Sequence, residues 1–177
     1  MVMTFRQRME YLDEVRRKNQ DMTKHPNGTY MSTTLSKKSQ NDLDKWVSEN
    51  NIPNPADPRQ YHSTIIYSRK GVPEVKDYKI DLPMKAKIKE WKVFPTQSGA
   101  KALVAIMDSP TLENHHKTIR KEYGATHDYP DYHPHVTISY DFGDGPAPTE
   151  VPDLELEYDD TELKPLDPSF TPPKKND

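Results

Sequence analysis

The chain has 177 residues, of which 32% are hydrophobic, with a mean hydropathy of -1.02 and a formal net charge of -3. The negative charge argues against sequence-blind binding of long nucleic acid, and the absence of cysteine excludes disulfides, thiolate metal sites and cysteine nucleophiles. No apolar run approaches the roughly 18 residues of a membrane span, and the polar start of the chain is unlike a signal peptide. We therefore expect a soluble, cytoplasmic protein with one domain.

The first half of the chain begins with an amphipathic pattern in which Phe5, Met9 and Leu12 recur at helical spacing. Later, Ser36 has the side chain and position of a helix N-cap. We predict, in chain order, a helix over 4–19, a strand over 28–34, a helix over 36–49, a proline-stiffened loop over 50–58 and a strand over 61–67.

In the second half, Pro110 follows two candidate N-cap residues, and Gly124 lies where a helix would end. We predict strands over 75–80, 86–94 and 101–107, a helix over 110–123, a strand over 135–140 and an edge strand over 154–158. Strands outnumber helices and do not alternate regularly with them, which favours an α+β fold. The expected organisation is a helical appendage (1–25), one domain (26–163) and a C-terminal tail (164–177).

Two segments of the sequence resemble each other. Tyr61–Tyr67 reads YHSTIIY and Pro134–Tyr140 reads PHVTISY, so that in both a histidine is followed by Thr at +2, Ile at +3 and Tyr at +5. Both segments also follow a helix and a proline-containing loop, which indicates an internal duplication.

Strand geometry gives this repeat a chemical meaning, because side chains at i and i+2 share a face. His62 therefore points with Thr64, and His135 with Thr137, while the isoleucine and tyrosine of each repeat are expected on the opposite, core face. A neutral histidine can take a proton from an attacking hydroxyl while a protonated one delivers a proton to the leaving oxygen. Threonine hydroxyls would hold the non-bridging phosphate oxygens. The double motif thus predicts a phosphodiesterase that needs no metal and no cofactor.

The double motif resembles that of the 2H phosphoesterase superfamily, over roughly residues 28–163. That resemblance implies a two-lobed α+β fold of antiparallel strands, with one His-x-Thr strand per lobe around a central cleft and helices outside. Four segments further resemble the phage anti-CBASS cyclic-oligonucleotide phosphodiesterases: NGTY at 27–30, YSRK at 67–70, FPT at 94–96 and YHPHVTISY at 132–140. The resemblance implies cleavage of 3′–5′ cyclic nucleotide second messengers in evasion of host CBASS immunity, with a ribose 2′-hydroxyl as nucleophile.

Four further side chains are candidates for substrate contacts. Tyr30 and Trp91 would stack on bases, and the family resemblance supports Tyr30 in particular, whereas a core role is the alternative for Trp91. Glu162 would hydrogen-bond an adenine edge or orient a histidine, and Lys70 would meet a phosphate; for both, an ordinary solvated surface position is the alternative. The expected partner is a cyclic oligonucleotide, with no long nucleic acid and no membrane. The sequence leaves the oligomeric state open.

Three other functions remain open at this stage. The same chemistry would serve RNA 2′,3′-cyclic phosphates or 2′–5′ linked oligoadenylates, and a non-catalytic sponge would bind cyclic nucleotides without cutting them. His127, His133 and His135 also suggest a zinc site, although that reading leaves His62 and both threonines unexplained. His115 and His116 are expected to face solvent from a helix.

Overall fold

The computed structural model describes residues 4–10 and 25–167. Residues 5–10 are helical, in agreement with the first part of the predicted N-terminal helix; the rest of that helix and most of the predicted tail lie outside the described residues. The described elements are β1 Thr29–Leu35, α1 Lys37–Glu49, β2 His62–Ser68, β3 Met84–Pro95, β4 Lys101–Asp108, α2 Pro110–Tyr123, β5 His135–Ser139 and β6 Leu156–Pro165.

Both helices begin and end where the sequence predicts. The Ser36 side chain accepts a hydrogen bond from the Ser39 N–H at the start of α1, and Ser109 accepts one from the Leu112 N–H at the start of α2. Gly124 ends α2 in a left-handed conformation with φ of 69°, which glycine adopts without steric cost. The apolar faces of both helices pack into one core with the strands.

The six strands form one antiparallel sheet in the order β2-β1-β6-β3-β4-β5. The two motif strands are therefore the two terminal strands of the sheet. They nevertheless lie against each other, so the sheet curls until its ends meet. The predicted α+β class with antiparallel strands is confirmed.

Three sequence predictions need correction. Residues 75–80 do not form a strand: a 3₁₀ turn spans Pro73–Asp77, and Val72 and Val75 point into the core at helical spacing. The strand predicted over 154–158 is β6, which lies between β1 and β3 and not at an edge. β6 pairs with β3 over Leu156–Tyr158 and with β1 over Tyr158–Pro165. Its pairing with β1 carries the strand past the predicted start of the tail at 164.

Candidate active site

The two His-x-Thr motifs face each other across the junction of β2 and β5. Ser63 Oγ donates a 2.8 Å hydrogen bond to the His135 carbonyl oxygen, 72 residues away. Since serine has one hydroxyl hydrogen, Tyr158 must donate in its 2.6 Å contact with the same oxygen. The junction brings His62 and His135 close enough for the charge of one to act on the other. The four motif side chains are all half-buried, and we call the region between them the cleft: His62, Thr64, His135 and Thr137.

Both histidine rings are oriented in the same way. His62 Nδ1 lies 2.5 Å from the Gln60 carbonyl oxygen, and His135 Nδ1 lies 3.0 Å from the His133 carbonyl oxygen. A carbonyl oxygen only accepts, so each Nδ1 carries a hydrogen and donates it. Nε2 of each ring is then the nitrogen that can exchange a proton with a substrate.

The environment of His62 favours its neutral form. Burial lowers its pKa from the ordinary value of 6.5, and the charges of His135 and Lys164 act in the same direction. The contact with the Gln60 carbonyl and the negative charge of Glu162 oppose this shift. At neutral pH, His62 is therefore mainly unprotonated.

Each motif threonine is paired with a tyrosine. Tyr30 OH lies 3.1 Å from Thr64 Oγ1, and the Thr137 side chain is close enough to Tyr140 to lower the pKa of its hydroxyl. Burial raises the pKa of both tyrosine hydroxyls, so both are neutral at physiological pH. A neutral tyrosine can donate to the threonine oxygen, and the threonine hydrogen is then free to be directed at a phosphate.

Both motif strands carry a β-bulge at the same position of the motif. Across β1 and β2 the register passes from Ser32↔Thr64 to Met31↔Ile66, which leaves Ile65 without a partner in the ladder. Across β4 and β5, the same break leaves Ile138 unpaired. In each case the unpaired residue is the isoleucine that follows the threonine.

The bulge of β2 reverses the expected facing of Tyr67. Regular alternation predicted Tyr67 and Tyr140 on the core face, but an extra residue changes which face the following side chains occupy. Tyr67 is 37% exposed, and its ring lies edge-on to that of Tyr30 at 6.3 Å. Tyr140, which follows β5, is half-buried and packs against the core, as predicted.

Two charged side chains of β6 lie beside the cleft. The charges of Glu162 and Lys164 both influence the His62 pKa, and Lys164 Nζ lies 5.5 Å from the centre of the Tyr30 ring. Lys164 Nζ is also 4.0 Å from Glu162 Oε1. Glu162 was predicted from the sequence, whereas Lys164 was missed because it was assigned to the tail.

Two predicted substrate contacts are not brought to the histidine pair. Trp91 is 6% exposed, stacks on Trp46 at 4.6 Å and donates its indole hydrogen to the Glu150 carbonyl, so the base-stacking role is wrong and the core role is the observed one. Lys70 follows the far end of β2, whose last residue, Ser68, lies about 20 Å along the strand from His62. Its ammonium group approaches Gly124 at the C-terminal end of α2, where a cation is favourable.

The other histidines form a separate cluster. His116 was predicted to face solvent but is 2% exposed, with its ring stacked on Tyr132 and edge-on to His127. Within residues 4–10 and 25–167, no three side chains of the His, Cys, Asp and Glu types are arranged to hold a metal ion. The zinc reading of His127, His133 and His135 thus has no geometric support in that part of the chain.

Comparison with known proteins identifies the family. A family model described as "Anti-CBASS protein Acb1" matches residues 27–172. The Acb1 protein of Vibrio phage KVP40 is 37% identical over 142 residues, covering 79% of this chain and 88% of the relative.

The chain belongs to the Acb1 family of anti-CBASS proteins.

The Acb1 protein of Enterobacteria phage T4 is 36% identical over 117 residues, covering 66% of this chain and 74% of the phage protein. Among solved structures, the protein TT0787 of Thermus thermophilus aligns with a TM-score of 0.56 at 14% identity, over 76% of this chain and 86% of that one; this likeness concerns the fold alone. The resemblance to the phage anti-CBASS proteins inferred from the motifs is confirmed. In the described residues, no helix is long and apolar enough to cross a membrane.

Proposed function

We propose that this Acb1 family member cleaves 3′–5′ phosphodiester bonds in cyclic oligonucleotide second messengers, such as cyclic GMP–AMP and cyclic tri-adenylate, by general acid–base catalysis with two histidines. The observation that supports this most directly is the matched orientation of the two imidazoles. Each donates from Nδ1 to the carbonyl two residues earlier, which reserves both Nε2 atoms for proton transfer.

We assign His62 as the general base and His135 as the general acid. The lowered pKa of His62 favours the neutral form that a base requires, and the pair then leaves the acid role to His135. His62 Nε2 accepts the proton of the ribose 2′-hydroxyl while that oxygen forms a bond to phosphorus. The P–O5′ bond breaks, and His135 Nε2 donates a proton to the departing 5′ oxygen. The product is a ring-opened oligonucleotide with a 2′,3′-cyclic phosphate.

The remaining cleft residues bind the substrate in this proposal. Thr64 and Thr137 donate to the non-bridging oxygens, where negative charge is held during the reaction. Tyr30 presents an aromatic ring for base stacking, a contact worth ~1–3 kcal/mol. Glu162 accepts from a base edge, and the charge of Lys164 favours a phosphate near the Tyr30 ring.

The experiment uses the purified full-length chain with excess EDTA and separates products by chromatography and mass. Cyclic 3′,3′-GMP–AMP and cyclic tri-adenylate are compared with an RNA ending in a 2′,3′-cyclic phosphate and with a 2′–5′ oligoadenylate. We expect the cyclic rings to open in EDTA, and His62→Ala and His135→Ala each to lower kcat by about 1000-fold.

His133→Ala is the matched control, because His133 is exposed and gives His135 only its backbone carbonyl. It should retain full activity. Cleavage confined to the RNA end or the 2′–5′ linkage would replace the cyclic-nucleotide substrate with one of those alternatives. Tight binding of intact rings by wild type would establish the sponge and overturn the catalytic assignment. Loss of cleavage in EDTA, restored by added metal, would overturn the acid–base mechanism.

A further inference from the structure

Two consecutive carbonyl groups of β2 are held by side chains from outside the sheet. Tyr132 OH donates a 2.6 Å hydrogen bond to the Thr64 carbonyl oxygen. The next carbonyl, that of Ile65, lies 2.7 Å from His116 Nδ1. Both contacts fall on the bulge of the first motif, and Thr64 is itself one of the proposed phosphate-binding residues.

The two donors form one unit. The rings of His116 and Tyr132 are stacked with centroids 3.8 Å apart and planes 7° from parallel. His116 comes from the middle of α2, and Tyr132 from the loop that enters β5. Stacking two planar rings restricts their rotation, so both donors stay aimed at adjacent carbonyls.

His116 uses only one of its two ring nitrogens here. A carbonyl only accepts, so Nδ1 carries the hydrogen and Nε2 has a free lone pair. Nε2 is buried and has no hydrogen-bond partner among the described residues. An unsatisfied buried nitrogen is unfavourable, and an apolar side chain would fill the same space without it. What the imidazole adds at this position is the Nδ1–H donor to Ile65.

We propose that His116 and Tyr132 are positioning residues that hold the bulge of β2 in place and so fix Thr64 and His62 for the reaction. The kinetic test of this positioning role rests on the proposed function. The bulge determines which side chains of β2 face the cleft, and a shift of one residue would move them to the opposite face. Even a displacement of about 1 Å at the reacting groups costs about 100-fold in rate.

The test separates the donors from the rings that carry them. Tyr132→Phe removes only the hydroxyl, and His116→Phe keeps a ring that can stack on Tyr132 but has no donor. His116→Asn is the conservative rescue, because its side-chain amide can place an N–H close to the position of Nδ1. We expect the two phenylalanine variants to lower kcat by about 10- to 100-fold with KM changed less than about threefold. The asparagine variant should recover most of the loss.

A second tyrosine–histidine pair, whose histidine also lies on α2, supplies the controls. Tyr78 OH lies 2.7 Å from His115 Nδ1, with the rings edge-on, beside the Pro73–Asp77 turn. Tyr78→Phe and His115→Phe make the same chemical changes without altering a donor to β2, so kcat should stay at the wild-type value. Thermal unfolding of each variant shows how much of any effect comes from lost stability.

The second readout does not need turnover. The His62 imidazole is titrated by NMR in each variant, and a loosened β2 should move its midpoint towards the ordinary value of 6.5 in Tyr132→Phe and His116→Phe but not in the two controls. If wild type cleaves none of the substrates, the proposed function fails while this titration still decides the positioning role. The proposal is overturned if both the His62 midpoint and kcat stay unchanged. It is also overturned if the losses in kcat only follow the losses in stability across all variants and are not rescued by asparagine. Should His116→Phe fail to fold, the contrast between Tyr132→Phe and Tyr78→Phe decides.

Discussion

The two motif strands have the same bulge but hold it by different means. In β2, the Ile65 carbonyl is held by the His116 side chain and the preceding carbonyl by Tyr132. In β5, the Ile138 carbonyl accepts a 2.7 Å hydrogen bond from the backbone N–H of Ala56, in the proline-containing loop before β2. The same bulge is thus held by a titratable side chain in the first half of the site (β2) and by the main chain in the second half (β5). The first half is therefore the one that responds to pH and to side-chain substitution.

Low pH should reveal the largest difference between the two motif strands, because only β2 is supported by a titratable side chain. Burial lowers the pKa of His116 to about 4, whereas an unfolded histidine binds a proton near 6.5. The stability that this difference provides is complete above pH 6.5 and is lost as pH falls towards 4, by up to about 3 kcal/mol. Denaturant unfolding from pH 7 to pH 4 should show a steeper loss for wild type than for His116→Asn. Parallel curves would contradict this assignment of the acid sensitivity.

The threonines test whether the two halves are equal in chemistry despite their different supports. Thr64→Val and Thr137→Val keep the shape of the side chain and remove the hydroxyl, so each should lower kcat by about 100-fold, equivalent to about 2.7 kcal/mol. Thr64→Ser and Thr137→Ser retain the hydroxyl and serve as controls. A large loss in one half alone would show that the phosphate is held from one side.

Removing the backbone donor should weaken the second half. Ala56→Pro deletes the N–H that binds the Ile138 carbonyl and leaves a buried acceptor unpaired, at a cost of about 2 kcal/mol in the free energy of unfolding. Ala56→Gly keeps the N–H and should cost less than about 1 kcal/mol. Equal melting curves for the two variants would mean that the loop does not support β5.

The smallest expected effect concerns the junction of the halves. Ser63→Ala removes the donor to the His135 carbonyl and should reduce the free energy of unfolding by about 1.5 kcal/mol, and Tyr158→Phe by about 1 kcal/mol. Because the two hydroxyls are bonded to each other, their losses should not add in a double-mutant cycle. Additive losses would indicate that they act separately.

The sequence was sufficient for the motif strands, both helices and the family, because period-two and period-3.6 patterns and capping residues are local signals. The bulges left no such signal: Ile65 and Ile138 look like ordinary core residues, so Tyr67 was placed on the wrong face. Which aromatic ring lies inside also depends on distant partners, as the stacking of Trp91 on Trp46 shows.

Lys164 and the His116–Tyr132 pair were missed for a related reason. Each reaches the first motif from a segment far away in the chain, and nothing in its neighbouring residues marks it. The pairing of β6 with β1 brings Lys164 towards β2, and the curl of the sheet and the packing of α2 bring Tyr132 and His116.

The meeting of β2 and β5 has a further consequence for solubility. A sheet of six strands has two edges, and exposed edge carbonyl and N–H groups can recruit strands from other molecules. Here Ser63, Tyr132 and His116 hydrogen-bond backbone carbonyl groups at this junction, and the Ala56 loop covers β5. Four carbonyl groups that could otherwise pair with a strand of another molecule, those of Thr64, Ile65, His135 and Ile138, are thus occupied at the junction. Variants that open the cleft should therefore aggregate more readily as well as react more slowly.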